Sequence, residues 1–264
     1  MKTFQELQEG LYDPNIFKAF FLAGGPGSGK SLVAGKSTGG AGLKVVNSDP
    51  VFERMLAAAG LSKKMPPEEF ERKEVVRGKA KAITARQREN YAEGRLGLLI
   101  DGTGKDAGKI LYQKNMLEEL GYDTYMIFVN TSVDVALANN ARRARSLPDD
   151  DVVKMWKAVQ NNIGQFSNMF RQGFIVVDNN DPVDVNDREL FKVIWKRVKA
   201  LLRRKVTNTR AKNWMAMELA KKQAGAMGTV GTGRHAGRGT AKIDPEKAEK
   251  IAKGGFATWA RQNR

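Results

Sequence analysis

The feature that most constrains this chain is a glycine-rich loop at residues 24–31, which reads GGPGSGKS. The loop matches the pattern G-x-x-x-x-G-K-[ST] at every defined position. An apolar run at 17–23 precedes it and predicts a buried strand, and a helix is predicted directly after it. A loop between a strand and a helix can turn successive backbone N–H groups toward phosphate oxygens. The sequence therefore predicts a nucleotide-binding site at this position.

Apolar strands alternate with helical segments over the first two hundred residues. Further strands are predicted at 43–47, 96–101, 123–129 and 173–177, and helices at 67–94, 105–120, 132–141, 149–170 and 185–204. Such alternation is typical of a parallel sheet that is covered by helices on both faces. We therefore predict a three-layer α/β P-loop NTPase fold with a parallel five-stranded sheet. The predicted domain covers residues 11–206, between a short N-terminal peptide and a basic C-terminal extension.

The composition excludes several kinds of chemistry. The chain has 264 residues, no cysteine and one histidine, His235. The lack of cysteine excludes disulfides, cysteine zinc sites and a thiol nucleophile, and the single histidine argues against a Ser-His-Asp triad. A formal net charge of +16 favours polyanionic partners. Because the chain has neither a long apolar stretch nor a secretory signal, we expect a host-cytoplasmic or particle-enclosed protein without a membrane partner.

The phosphate loop predicts ATP and Mg²⁺ as cofactors. Lys30 is expected to place its ammonium on the β- and γ-phosphates, and Ser31 is expected to offer its hydroxyl to Mg²⁺. The other residues predicted to bind the nucleotide surround its phosphates with backbone N–H groups: Gly25, Pro26, Gly27, Ser28 and Gly29.

Two carboxylates are predicted at the edge of the sheet that carries this loop. Asp49 follows the second predicted strand, and Asp101 ends the third. The carboxyl ends of parallel strands meet where open α/β sheets bind ligands. One carboxylate can accept a proton from a substrate hydroxyl, and the other can order Mg²⁺. As alternatives, Asp49 caps a helix before Pro50, and Asp101 is a plain turn residue.

A basic segment, RRARS at 142–146, lies between two predicted helices. Guanidinium groups on such a connection can neutralise charge on a phosphoryl group during transfer, and Arg143 and Arg145 are the first candidates, ahead of Arg142. The alternative is an ordinary solvated basic turn.

Together these segments resemble the zeta-toxin and polynucleotide-kinase branch of P-loop kinases, over about residues 17–204. The resemblance implies an ATP-dependent kinase in which Asp49 is the base. It also implies that Asp101, Thr103 and Lys105 face the substrate, although Lys105 stands where family members often carry arginine. Asn179 and Asn180 follow the fifth strand, where such kinases hold the adenine. Their alternative is a simple Asn-Asn-Asp-Pro turn.

The two ends of the chain suggest different partners. Residues 1–10 resemble the capsid-targeting peptides of internal head proteins in large tailed phages, with a cleavage motif Leu7-Gln8-Glu9 before Gly10. A frayed N-terminal helix is the alternative. The segment 207–264 contains twelve basic and four acidic residues, and its glycine-rich part at 224–240 is predicted to be flexible. We expect this extension to be a basic arm that binds DNA or RNA. Residues 207–222 are expected to pack on the domain, and residues 225–242 are expected to be exposed to solvent.

The resulting hypothesis is a phage-encoded kinase that transfers the γ-phosphoryl group to a hydroxyl of a nucleotide sugar or a nucleic-acid 5′ end. A different class of function is a non-catalytic, DNA-binding internal head protein that retains a nucleotide-binding fold. A motor ATPase is a third possibility, but the sequence offers no second Walker-B acid. A catalytically inactive site is disfavoured, because the chain retains Lys30, Ser31, Asp49 and Asp101.

Overall fold

The structure is a computed structural model that describes residues 11, 13–38, 40–62, 67–143, 146–180 and 188–229. The N-terminal peptide at 1–10, Arg145, His235 and the extension beyond Thr229 lie outside the described residues. The chain divides into two compact units, residues 1–208 and 209–264.

Five parallel strands form one sheet. In chain order they are β1 (Lys18–Ala23), β2 (Lys44–Val46), β3 (Leu98–Asp101), β4 (Asp123–Asn130) and β5 (Phe174–Asp178). Their order across the sheet is β2-β3-β1-β4-β5, and every neighbouring pair is parallel. The predicted parallel five-stranded α/β fold is therefore confirmed.

Nine α-helices lie in the described residues. They are α1 (Lys30–Thr38), α2 (Asp49–Ala58), α3 (Phe70–Glu93), α4 (Ala107–Leu120), α5 (Val133–Ala141), α6 (Asp149–Gln160), α7 (Ile163–Phe170), α8 (Arg188–Leu202) and α9 (Thr209–Thr229). A helix at the position of α2 was expected only in the alternative that Asp49 caps a helix before Pro50. Short 3₁₀ turns, Pro67–Glu69 and Arg171–Gly173, precede α3 and β5.

Side chains that alternate along β1 fill the cores on the two faces of the sheet. Phe20 belongs to a cluster with Ile194 and Val198 of α8 and Val33 of α1. Its neighbour Phe21 points to the opposite face, where its ring centroid lies 5.5 Å from that of Phe170 in α7. Both faces of the sheet are thus covered, which gives the predicted three layers.

The helix predicted over 149–170 is wrong in one respect, because the structure divides it into α6 and α7. The two helices are separated at Asn161 and Asn162, and asparagine is a poor helix former. The Asn162 side chain donates instead to the Gly104 carbonyl, at 2.9 Å. Val152, Val159 and Phe166, which follow each other at seven-residue intervals in this segment, are nevertheless all buried.

The second unit is described by α9 alone. This helix continues to Thr229, so its backbone is helical through the first part of the segment predicted to be flexible. Within the described residues, none of the helices combines the length and the apolar character needed to span a membrane.

The position of the candidate site follows from the sheet order. Strand β1 is central, with β3 and β2 on one side and β4 and β5 on the other. The direction of the strand order reverses at β1, which opens a crevice at its carboxyl end. The register pairs Leu22 of β1 with Asp101 of β3, and Val46 of β2 with Ile100 of β3. Residues directly after β1, β2 and β3 are therefore brought together at one edge.

Candidate nucleotide and acceptor site

Glycine is required at specific positions of the phosphate loop. Gly24, Gly27 and Gly29 have φ values of +152°, +74° and +81°, which side chains with a Cβ rarely adopt. A Cβ at Gly24 would lie 2.6 Å from the Val129 carbonyl oxygen, and one at Gly27 would overlap the carbonyl of Ala136. The loop backbone is therefore fixed by its fit against β4 and α5.

Lys30 begins α1 and folds over the loop. Its Nζ donates to the carbonyl oxygens of Gly24 at 2.7 Å and Gly25 at 3.2 Å. No acidic residue stands in the first turn of α1, so the positive end of the helix dipole is not offset there. The Ser28 Oγ is buried and makes no hydrogen bond within the described protein. A cationic helix start with a spare buried hydroxyl suits the phosphates of a nucleotide.

Asn47 links the two predicted carboxylates. Its Nδ2 donates to Asp101 Oδ2 at 2.8 Å, and its Oδ1 accepts from the Asp49 backbone N–H at 2.8 Å. Asp49 is the first residue of α2 and is exposed, and Ser48 is the N-cap. The alternative that Asp49 itself caps this helix is thus wrong. Its exposed side chain can meet a substrate.

The charges at this edge of the sheet influence each other. Burial lowers the pKa of the Lys30 ammonium, and the Asp101 carboxylate opposes that shift. Arg143 lowers the same pKa further, whereas Asp49 raises it. Burial also raises the pKa of Asp101, the Lys30 charge offsets part of that shift, and the Asp49 carboxylate adds to it. Lys30, Asp49, Asp101 and Arg143 therefore share one electrostatic environment.

One asparagine side chain joins the two ends of the loop that carries the arginines. The buried Asn140 donates through Nδ2 to the Leu147 carbonyl at 2.8 Å and accepts from the Leu147 N–H at 3.1 Å. This pair of bonds fixes the two ends of the loop after α5, in which Arg142 and Arg143 are exposed. Arg145 belongs to the same loop but lies outside the described residues.

The two asparagines after β5 contact protein groups. Asn179 is buried and donates through Nδ2 to the Ser28 carbonyl at 2.8 Å, so it supports the phosphate loop from behind. Asn180 donates to the Asp178 carboxylate and accepts from the Ser132 backbone N–H. Residues 181 and 182 of the turn given as the alternative lie outside the described residues, and contact of Asn180 with adenine stays a prediction.

A cavity of about 650 Å³ opens beside Asp101. The predicted substrate residues Thr103 and Lys105 line it, together with side chains of α3 and α4. The backbone of this wall is attached to the phosphate loop, since the Gly24 N–H donates to the Thr103 carbonyl at 3.0 Å. The cavity thus adjoins the predicted nucleotide site and can hold an acceptor.

The residues predicted to hold Mg²⁺ are few. Within the described part of the chain, no group of three or more acidic or histidine side chains is placed to hold a metal ion. Ser31 lies in the first turn of α1, and Asp101 ends the strand beside β1. A hydroxyl, a carboxylate, phosphate oxygens and water form a donor set that suits Mg²⁺, which keeps several waters in such sites. The residues present therefore fit the predicted ion.

Sequence reasoning missed three asparagines that arrange this site. Asn47 contacts Asp101 and the backbone of Asp49, and Asn140 closes the arginine loop. Asn139 donates through Nδ2 to the Gly27 carbonyl at 2.9 Å. Only Asn47 carries a sequence signal, because it is the last residue of a predicted strand at the edge where ligands bind. The other two lie in a helix whose packing the sequence did not reveal.

Comparisons with known proteins agree with this architecture. A family model described as an AAA domain matches residues 20–162, more than half of the chain. No curated protein matches the chain. Among solved structures, the crystal structure of AvrRxo1-ORF1:AvrRxo1-ORF2 with sulphate ions is 15% identical with a TM-score of 0.51, and covers 89% of this chain and 74% of its own.

Two further solved structures match the chain at lower TM-scores. One is from the PezAT chromosomal toxin–antitoxin system of Streptococcus pneumoniae, with 14% identity, a TM-score of 0.45, and coverage of 76% of this chain and 93% of that chain. The other is a shikimate kinase from Bacteroides thetaiotaomicron, with 15% identity, a TM-score of 0.44, and coverage of 70% and 98%. At these identities the similarity concerns the fold.

Proposed function

Because this chain belongs to the AAA domain family, we propose that it is an ATP-dependent kinase that transfers the γ-phosphoryl group of ATP to an acceptor hydroxyl. The observation that carries the proposal is the shared environment of Lys30, Asp101, Arg143 and Asp49 beside an open cavity. Phosphoryl transfer requires cations on the phosphates and a carboxylate near the acceptor. This edge of the sheet offers both.

Each residue receives a role in this proposal. Lys30 and the loop N–H groups bind the β- and γ-phosphates. Ser31 and Asp101 would hold Mg²⁺, which would supply positive charge to the phosphates. Asp49 accepts the proton of the acceptor hydroxyl. The acceptor oxygen forms a bond to the γ-phosphorus as the bond to the bridging oxygen breaks, and ADP leaves.

The arginine loop is proposed to serve the transition state. Arg143 is exposed on a loop whose two ends are joined by hydrogen bonds of Asn140. The charge of Arg143 lowers the pKa of Lys30. Together with Arg145 it would neutralise charge that develops on the moving phosphoryl group. The Arg143→Ala, Arg145→Ala double variant should therefore lose kcat more than ATP affinity. An unchanged kcat would return the segment to an ordinary solvated turn.

The acceptor is proposed to be a nucleotide sugar or a nucleic-acid 5′ end. A cavity of about 650 Å³ is large enough for a nucleotide-sized group. A phage-head location, with cleavage before Gly10, also stays a proposal. N-terminal mass analysis of purified particles tests it, and the intact Met1 form, or no protein in particles, would contradict it.

A screen with γ-labelled ATP separates the competing functions. Wild type and Lys30→Ala are incubated with nucleotide sugars, 5′-hydroxyl oligonucleotides or water alone. We expect Lys30-dependent label on one acceptor class. Label released only as inorganic phosphate would favour a motor ATPase. Equal label with wild type and Lys30→Ala, or none, would contradict the kinase and favour a non-catalytic DNA-binding head protein.

A further inference from the structure

Four basic side chains line the cavity beside Asp101. Lys81 and Arg88 lie seven residues apart on α3, which is about two helical turns, so they share one face. Lys105 and Lys109 come from the opposite wall, where α4 begins. Segments far apart in the chain thus bring four positive charges to one cavity.

The acidic residues of the cavity do not neutralise these charges. Within the described residues, none of the four basic side chains forms an ion pair. Of the two acidic residues in the lining, Asp106 caps α4 by accepting from the Lys109 backbone N–H at 2.8 Å. The other, Asp101, accepts from Asn47. The cavity therefore has an excess of positive charge.

Other basic residues of α3 have different contacts. Lys73 is buried and pairs with Glu69 at 2.9 Å. Arg77 pairs with Glu74 at 3.0 Å and lies over the Phe52 ring, 4.6 Å from its centroid. These contacts stabilise α3 and its packing on α2. Helix α3 thus carries two basic residues with structural contacts and a separate pair that lines the cavity.

We propose that Lys81, Arg88, Lys105 and Lys109 form a binding site for a phosphate or diphosphate group of the acceptor. The inference rests on the proposed function, since it names the chemical class of the molecule that receives the phosphoryl group. A guanidinium can bind phosphate through two parallel hydrogen bonds, and lysines add point charges. Tyr112 is 65% exposed at the same cavity and offers an aromatic face to a base or sugar. Nucleotide sugars and nucleic-acid 5′ ends both carry phosphate near a free hydroxyl.

Direct binding of pyrophosphate tests this site without requiring phosphoryl transfer. Titration calorimetry is done on the full chain with the phosphate loop saturated by a non-hydrolysable ATP analogue. We expect the Lys81→Gln, Arg88→Gln double variant to bind pyrophosphate at least tenfold more weakly than wild type. The matched control is Lys79→Gln, Arg86→Gln, which removes two exposed charges of the same helix that do not line the cavity. This control should stay within twofold of wild type.

Equal loss in both double variants, or no pyrophosphate binding by wild type, would overturn the proposal. If the double variant fails to fold, the single variants Lys81→Gln and Arg88→Gln are compared with Lys79→Gln and Arg86→Gln. Failure of the proposed function gives a different result, because pyrophosphate would still bind in a charge-dependent way while no acceptor becomes labelled. Transfer assays with a nucleoside diphosphate sugar and with a 5′-hydroxyl oligonucleotide then distinguish the two sources of phosphate.

Discussion

The nucleotide side and the acceptor side of this site are built in different ways. The nucleotide side is one contiguous stretch, residues 24–31, in which backbone N–H groups and one lysine supply the chemistry. The acceptor side combines side chains from α3, α4 and the segments after β2 and β3. A contiguous loop carries its phosphate-binding groups in one stretch of chain, and the side chains of Asn139 and Asn179 only support its backbone. By contrast, the shape and charge of a cavity that is built from several segments depend on every helix that lines it. We therefore expect substitutions in these helices to change which acceptor is bound.

A substitution on the nucleotide side should have the largest effect on phosphoryl transfer. Lys30→Ala removes the only cation of the phosphate loop, and we expect phosphoryl transfer to be lost in a labelled-ATP assay. Lys79→Ala, at an exposed position of α3, is the control and should transfer the phosphoryl group at the wild-type rate. Equal turnover by wild type and Lys30→Ala would contradict the kinase proposal.

Removing the proposed base should affect the acceptor side only. Asp49→Asn keeps the size of the side chain but removes the group that accepts the proton of the acceptor hydroxyl. We therefore expect kcat to fall by about 10²–10⁴. ATP affinity, measured by calorimetry, should stay within a few-fold of wild type. A variant that loses ATP binding but keeps kcat would make Asp49 a metal or structural residue.

The fit of the phosphate loop is tested by two glycines in the same region. Gly27→Ala places a Cβ against the Ala136 carbonyl at a φ of +74°, and should lower the free energy of unfolding by about 1–3 kcal/mol. Gly35→Ala is the matched control, because Gly35 is helical and an added Cβ would meet no described atom within 4 Å beyond its own helix backbone and chain neighbours. It should raise that free energy by about 0.5–1 kcal/mol. Thermal melts measure both, and equal shifts would contradict the comparison.

The smallest effect is expected where the two sides meet. Asn47→Ala removes the donor to Asp101, which stabilises the ionised carboxylate, so the pKa of Asp101 should rise further. If Asp101 must be ionised, activity will be lost at a higher pH on acidification, while the rate at high pH falls about tenfold or less. A pH profile of kcat measures this. A lower rate with an unshifted acidic limb would make Asn47 merely structural.

Much of the fold followed from local sequence signals. Five apolar runs became the five strands, and Gly121 ends α4 with a φ of +109°, as a glycine after a helix should. Segments without such signals were misjudged. The helix α2 was expected only as an alternative because its apolar pattern is short. The division between α6 and α7 at Asn162 depends on a contact with Gly104.

The sequence alone determined the phosphate loop and its setting, because a contiguous motif needs only the strand before it and the helix after it. Tertiary structure decided the rest of the site. The register that pairs Leu22 with Asp101 and Val46 with Ile100 brings Asn47 within 2.8 Å of Asp101. Packing of α3 turns Lys81 toward the cavity and buries Lys73 against Glu69. Side chains of the same type on one helix thus differ in role, because contacts with distant segments decide which face is covered.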